Sequence, residues 1–138
     1  MIIKFHKVNL TKKYPLRISR GLNDKTQNLF LQLTQGGITS WGESAPGKTE
    51  GASSVIEVED QLNRLISSGI EDLSHFEIYE RSKDLNTPPC AYAALDMALW
   101  DLRAKKARVS LTNFLGFPSP NTPTSLTVGI NPPEIVRE

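Results

Sequence analysis

Ala91-Tyr92-Ala93-Ala94-Leu95-Asp96-Met97-Ala98-Leu99-Trp100-Asp101-Leu102-Arg103-Ala104-Lys105-Lys106 reads as one long helix, and its apolar face decides how the rest of the chain must be arranged. Ala91, Ala94, Leu95, Ala98 and Leu102 recur at helical spacing. So many alanines on one face allow close approach to a neighbouring helix or sheet. Thr87-Pro88-Pro89 opens the helix, since proline is tolerated in a first turn whose N–H groups have no helical partner. Asp96 and Asp101, five residues apart, point to different sides of this helix and are a poor arrangement for a shared metal.

Before this helix the pattern predicts two more. Ser54-Val55-Ile56-Glu57 is a capping-box sequence. Val55, Val58, Leu62, Leu65 and Ile66 then form one stripe before Gly69. Ser74-His75-Phe76-Glu77 is a second capping box, opening a shorter helix through about Asp84. The first 45 residues have a different period. Residues 2 to 10 alternate, with Ile2, Lys4, His6, Val8 and Leu10 on one side and Ile3, Phe5, Lys7 and Asn9 on the other. Leu29, Leu31 and Leu33 alternate with Asn28, Gln32 and Thr34 as a second strand. Gln35-Gly36-Gly37 supplies a tight turn, and Ile38 to Glu43 returns as the third. Between the first two strands Arg17 to Lys25 has no period and reads as a loop. Three strands followed by helices predict an α+β fold: a three-stranded antiparallel meander and then a helical bundle.

After the long helix, Leu111 to Leu115 makes a short helix closed by Gly116. Prolines 118, 120 and 123 precede a β-like run, Ser125-Leu126-Thr127-Val128-Gly129-Ile130. Asn131-Pro132-Pro133-Glu134 then reads as a helix start just before Glu138. A lone strand and the first turn of a helix have nothing to pack against. The expectation is one domain over residues 1–120, followed at 121–138 by the first strand of a second domain that the chain does not complete.

With 22 % charged and 38 % hydrophobic residues, the composition is that of a globular domain rather than a disordered tail. A net charge of +1 with interspersed signs gives neither the basic stripe that nucleic acid requires nor a polybasic membrane patch. No apolar run approaches the roughly 20 residues of a membrane span, and the N-terminus lacks the features of a signal peptide. The single cysteine, Cys90, excludes an internal disulfide and speaks against a zinc cluster. Together these favour the cytoplasm. No motif carries chemistry by itself: Gly47 and Gly51 lack a phosphate-loop arrangement, and no serine lies in a nucleophile elbow. His6 and His75 stand singly and read as structural or surface residues.

The 91–106 helix resembles a signature of the enolase superfamily's N-terminal capping domain. More narrowly it is similar to the muconate-lactonizing and mandelate-racemase branch, in which A-x-x-A-L-D-x-A-L-W-D-L-x-x-K precedes L-x-x-x-L-G. Here that second piece is Leu111-Thr112-Asn113-Phe114-Leu115-Gly116. Trp41-Gly42-Glu43-Ser44-Ala45-Pro46 is similar to the family's W-G-E-x-x-P, and Thr124 to Asn131 to its first barrel strand. The motifs follow in the family's order over nearly the whole chain, with dipeptide (L-Ala-D/L-Glu) epimerases the most similar members.

The resemblance implies a cap over the mouth of a (β/α)8 barrel, of which this chain carries only the first strand. It implies Mg²⁺ as cofactor and proton removal α to a carboxylate, with acid/base lysines and metal-binding carboxylates lying beyond Glu138. The 138 residues alone are then inactive, and their partner is the missing barrel domain; homo-oligomerisation is left open. Loops at Leu16–Lys25 and about Ala45–Ser53 would close over a small-molecule acid or dipeptide. Arg17 or Arg20 could clamp a carboxylate bidentately. Counting back from Trp41-Gly42-Glu43 without gaps places Arg20 at the arginine that dipeptide epimerases use for a side-chain carboxylate. Thr127 matches a substrate-touching hydroxyl position, and Glu43 reads as structural. The alternatives are the cap of an o-succinylbenzoate synthase or muconate cycloisomerase, or a free-standing interaction domain without catalysis.

Overall fold

Leu29, Leu31 and Leu33 have no exposed surface, and the strand that carries them is the middle of the sheet. In this computed structural model, which describes residues 1–18, 21–117, 123–125 and 130–136, β1 (Ile2–Ile18), β2 (Gly21–Gln35) and β3 (Ile38–Ser44) form an antiparallel sheet in the order β1-β2-β3. The β2–β3 turn uses Gly36 and Gly37 at φ of 59° and 75°, the left-handed conformations that glycine adopts without penalty. A single 3₁₀ turn at Lys48–Glu50 leads to α1 (Val55–Ile66), α2 (His75–Asp84), α3 (Pro89–Lys106), α4 (Leu111–Phe114) and α5 (Pro133–Val136).

The helices cover one face of the sheet. Ala91, Ala94, Leu95 and Ala98 of α3 meet the three leucines of β2 in one core with Val58, Leu62 and Leu65 of α1. Each of the buried leucine and valine side chains contributes about 1.5–3 kcal/mol on burial. The C-terminal half of α3 is also tied to the sheet by polar contacts. Asp101 accepts a hydrogen bond from the Trp41 N–H at 3.0 Å, and Lys105 Nζ donates to the Thr39 carbonyl at 3.0 Å. Asp101 therefore covers an N–H of the outer strand β3, which blunts an edge that would otherwise be open to pairing.

Both capping-box sequences start helices, but only one closes fully. Ser74 accepts from the Glu77 N–H while Glu77 accepts from the Ser74 N–H. At α1, Ser54 accepts from the Glu57 N–H, but the Glu57 carboxylate reaches past it to the N–H and hydroxyl of Ser53.

The described residues of the aperiodic stretch expected as a loop, 17–18 and 21–25, are strand. β1 and β2 stay paired out to Ile18 and Gly21, with Arg17 opposite Leu22 and a register shift between Thr11 and Leu16. These residues form a two-stranded ribbon that projects beyond β3. Their side chains are nearly all exposed, so no face is selected for apolarity and the sequence shows no alternation. The expected 120/121 boundary and most of the run expected as a barrel strand, Leu126 to Gly129, lie outside the described residues.

Candidate substrate-facing site

Two features of the sheet end could meet a ligand, and the chain builds both from main-chain geometry. The first is the ribbon. Its tip carries Arg17, whose carbonyl accepts a hydrogen bond from the Ile130 N–H at 2.9 Å. Arg20, the residue singled out for a substrate carboxylate, falls between Ile18 and Gly21 in sequence and lies outside the described residues, as does Thr127.

The second is the segment after β3. A bridge between Gly47 and Ala52 closes the 45–53 loop on itself. Gly51 has φ of 90°, and a Cβ there would stand 2.9 Å from Cδ of Pro89, so the loop turns tightly against the start of α3. The result is a concavity of about 650 Å³ between the end of β3, this loop and the first turn of α3. Ala45, Pro89, Cys90 and Ala93 give it apolar walls, and Glu43 and Glu50 place carboxylates at it. The Ser44 hydroxyl, also lining it, is buried without a hydrogen-bond partner among the described residues.

Asn28 is the residue that periodicity missed. Its place in the alternation put it on the open face of β2, yet it is 7 % exposed. Its Nδ2 donates to Glu43 Oε1 at 2.6 Å, which makes Glu43 part of the join between β2 and β3. A polar residue in an outward register gives no sequence sign of burial.

The histidines are held by the fold. His6 shares a 2.9 Å hydrogen bond with Gln32, and His75 bonds Asp96, to which the Tyr92 hydroxyl donates at 3.2 Å. Burial, and then the Asp96 charge, pushes the Tyr92 phenol above its ordinary value of 10.0.

Among the described residues, no three histidine, cysteine, aspartate or glutamate side chains come together in a way that could hold a metal ion. The donors present do not fit a Mg²⁺ site. No described helix is long and apolar enough to cross a membrane.

Comparison with known proteins agrees with this architecture. A hydrophobic dipeptide epimerase of Flavobacteria bacterium (strain MS024-2A) is 49 % identical over all 138 residues, and one of Roseobacter litoralis is 46 % identical over the same length. In each case the chain spans 40 % of the relative's length. The dipeptide epimerase of Methylococcus capsulatus, solved with Mg and the dipeptide L-Arg-D-Lys, superposes with a TM-score of 0.78 at 26 % identity, covering 99 % of this chain and 40 % of that one. The model of the mandelate racemase / muconate lactonizing enzyme N-terminal domain matches residues 2–116, the meander and the helices through α4, and the chain belongs to that family.

Proposed function

We propose that these 138 residues are the capping, substrate-selecting part of a dipeptide epimerase whose substrates are hydrophobic dipeptides. The observation that carries this reading is the 49 % and 46 % identity, across the whole chain, to two hydrophobic dipeptide epimerases. Epimerisation removes a proton α to a carbonyl group and returns it to the opposite face. The groups that move the proton and bind Mg²⁺ belong in this reading to a barrel domain that the chain does not include.

The cap's own contribution is selection and exclusion of water. The ribbon and the 45–53 loop are its two covering elements, with Arg20 and Thr127 facing the substrate. A concavity with apolar walls at Ala45 of the loop and Pro89 of α3 suits an apolar side chain. A second reading, acidic dipeptides, is favoured by Arg20 alone, because a guanidinium pairs bidentately with a carboxylate.

The test is a chimera in which residues 1–138 replace the matching segment of the Roseobacter litoralis enzyme. Exchange of the α-proton for deuterium is followed by NMR with Mg²⁺ present. Turnover of L-Ala-L-Phe well above L-Ala-L-Glu is expected, and none by the 138-residue chain alone. A folded chimera that turns over neither dipeptide would overturn the reading.

A further inference from the structure

The ribbon joins the three-stranded sheet at a single place. β3 stops pairing at Ser44 opposite Leu29, while β1 and β2 continue as two strands to Ile18 and Gly21. Two strands alone are marginally stable in water, so the direction of the ribbon depends on what holds its root. The register shift between Thr11 and Leu16 gives no help there, because it lies farther out and only bends the tip.

At the root sits Asn28, opposite Val8 of β1 and one residue before the last β2–β3 pair. It is buried, whereas the β2 residues Lys25, Thr26 and Gln27 just beyond it are exposed. Its Nδ2 donates to Glu43 at 2.6 Å, and its Oδ1 is buried without a partner among the described residues. The bond to Glu43 is thus the Asn28 side chain's one described tie, and it reaches diagonally from the ribbon strand to the strand that ends there. A hydrogen bond to a carboxylate is stronger than a neutral one and directional.

We propose that Asn28 and Glu43 form a latch that sets the direction of the ribbon, making both of them positioning residues for substrate selection. The latch stands on geometry alone. Its consequence for selection rests on the epimerase reading given above. Glu43 also lines the concavity beside the 45–53 loop, so the residue that ties the ribbon root stands next to the second covering element as well.

Hydrogen exchange on the 138-residue chain tests the latch directly. Glu43→Ala removes the acceptor from a half-buried position and leaves the core intact. Amides of Asn9 to Thr11 and Lys25 to Gln27 should then exchange about tenfold faster or more, while those of Leu31, Leu33 and α3 change less than about twofold. Glu43→Gln keeps an acceptor oxygen and should restore most of the protection. Asn28→Ala should match Glu43→Ala if it folds, and the Glu43 pair decides the matter if it does not. Ribbon protection that is unchanged in Glu43→Ala, or lost equally in Glu43→Gln, would overturn the latch. In the chimera, Glu43→Ala should raise KM for the dipeptide while kcat stays within about twofold. Faster ribbon exchange with unchanged KM would overturn the role in selection and leave the latch standing.

Discussion

A Cβ built on Gly42 would stand 1.8 Å from the carbonyl oxygen of Ala94 and 3.1 Å from the backbone nitrogen of Ala98. The middle of β3 and the middle of α3 therefore touch backbone to backbone, and the alanine-rich face of the helix exists for this approach. Neither neighbour is a flexible side-chain tip. Gly42→Ala must push α3 off the sheet, and because α3 also carries Leu95 against the β2 leucines, the loss spreads through the core. A destabilisation of about 3 kcal/mol or more is expected, at the upper end of overpacking costs. Chemical denaturation of the variant checks it, and a loss below about 1 kcal/mol, the low end of overpacking costs, would contradict it.

The two N-terminal caps make a prediction about acid. The Glu77 carboxylate is held below its ordinary value of 4.5 by its hydrogen bonds from Ser74, and Glu57 by those from the backbone and then the side chain of Ser53. A depressed carboxyl contributes stability that is complete above the unfolded value and is lost as pH falls through the folded one. Melting temperature should therefore decline as pH drops below 4.5. Glu77→Gln can still accept a hydrogen bond but cannot titrate, so its melting temperature should depend less steeply on pH in that window. An identical slope in the variant would remove Glu77 from the account.

How much of this was legible in the sequence follows from burial. The stripe of α1, the alanine face of α3 and the Leu29-Leu31-Leu33 alternation were readable because each lies half in the core, where one face must be apolar. The ribbon was not. Residues such as Arg17, Leu22 and Lys25 are exposed, and pairing through main-chain groups leaves no mark on side-chain choice. Asn28 failed for the opposite reason, since it is buried by what stands beside it in space, and Glu43 lies 15 residues away. The capping sequence at Ser54 was half readable: spacing brings Glu57 to the helix start, but whether it turns to Ser54 or Ser53 depends on the approach of the chain. Arg20 and Thr127 were reached through family resemblance and not through any local pattern.

Alkaline titration singles out Tyr92. Burial is the larger cause of its raised value and the Asp96 charge the next, so the neutral phenol is favoured in the folded state. Its contribution to stability is complete below the ordinary value of 10.0 and is lost as pH rises through the higher folded value. Phenolate absorbance should show a step well above pH 10, and Tyr92→Phe should remove that step. Asp96→Asn should lower the step only in part, because burial remains. Abolition of the step by Asp96→Asn would mean that charge, and not burial, governs it.

Arg20, which falls in sequence between the two ribbon strands, separates the two substrate readings. In the chimera, Arg20→Ala should leave hydrophobic dipeptides nearly untouched, because an apolar side chain offers the guanidinium nothing to bind. If Arg20 holds a distal carboxylate, kcat/KM for L-Ala-L-Glu should fall by about 1.5–3 kcal/mol, the worth of a hydrogen bond to a charged group. Arg17→Ala is the control. Its described contact is made by the main-chain carbonyl to Ile130, which the substitution keeps. A large loss at Arg17 with none at Arg20 would move the carboxylate contact to Arg17 and show that the ungapped count from Trp41 is off. Equal losses on acidic and hydrophobic dipeptides would make Arg20 a residue that shapes the ribbon rather than one that reads the substrate. Loss confined to the acidic dipeptide, in an enzyme that prefers L-Ala-L-Phe, would mean that the cap admits both classes and that Arg20 serves only the slower one.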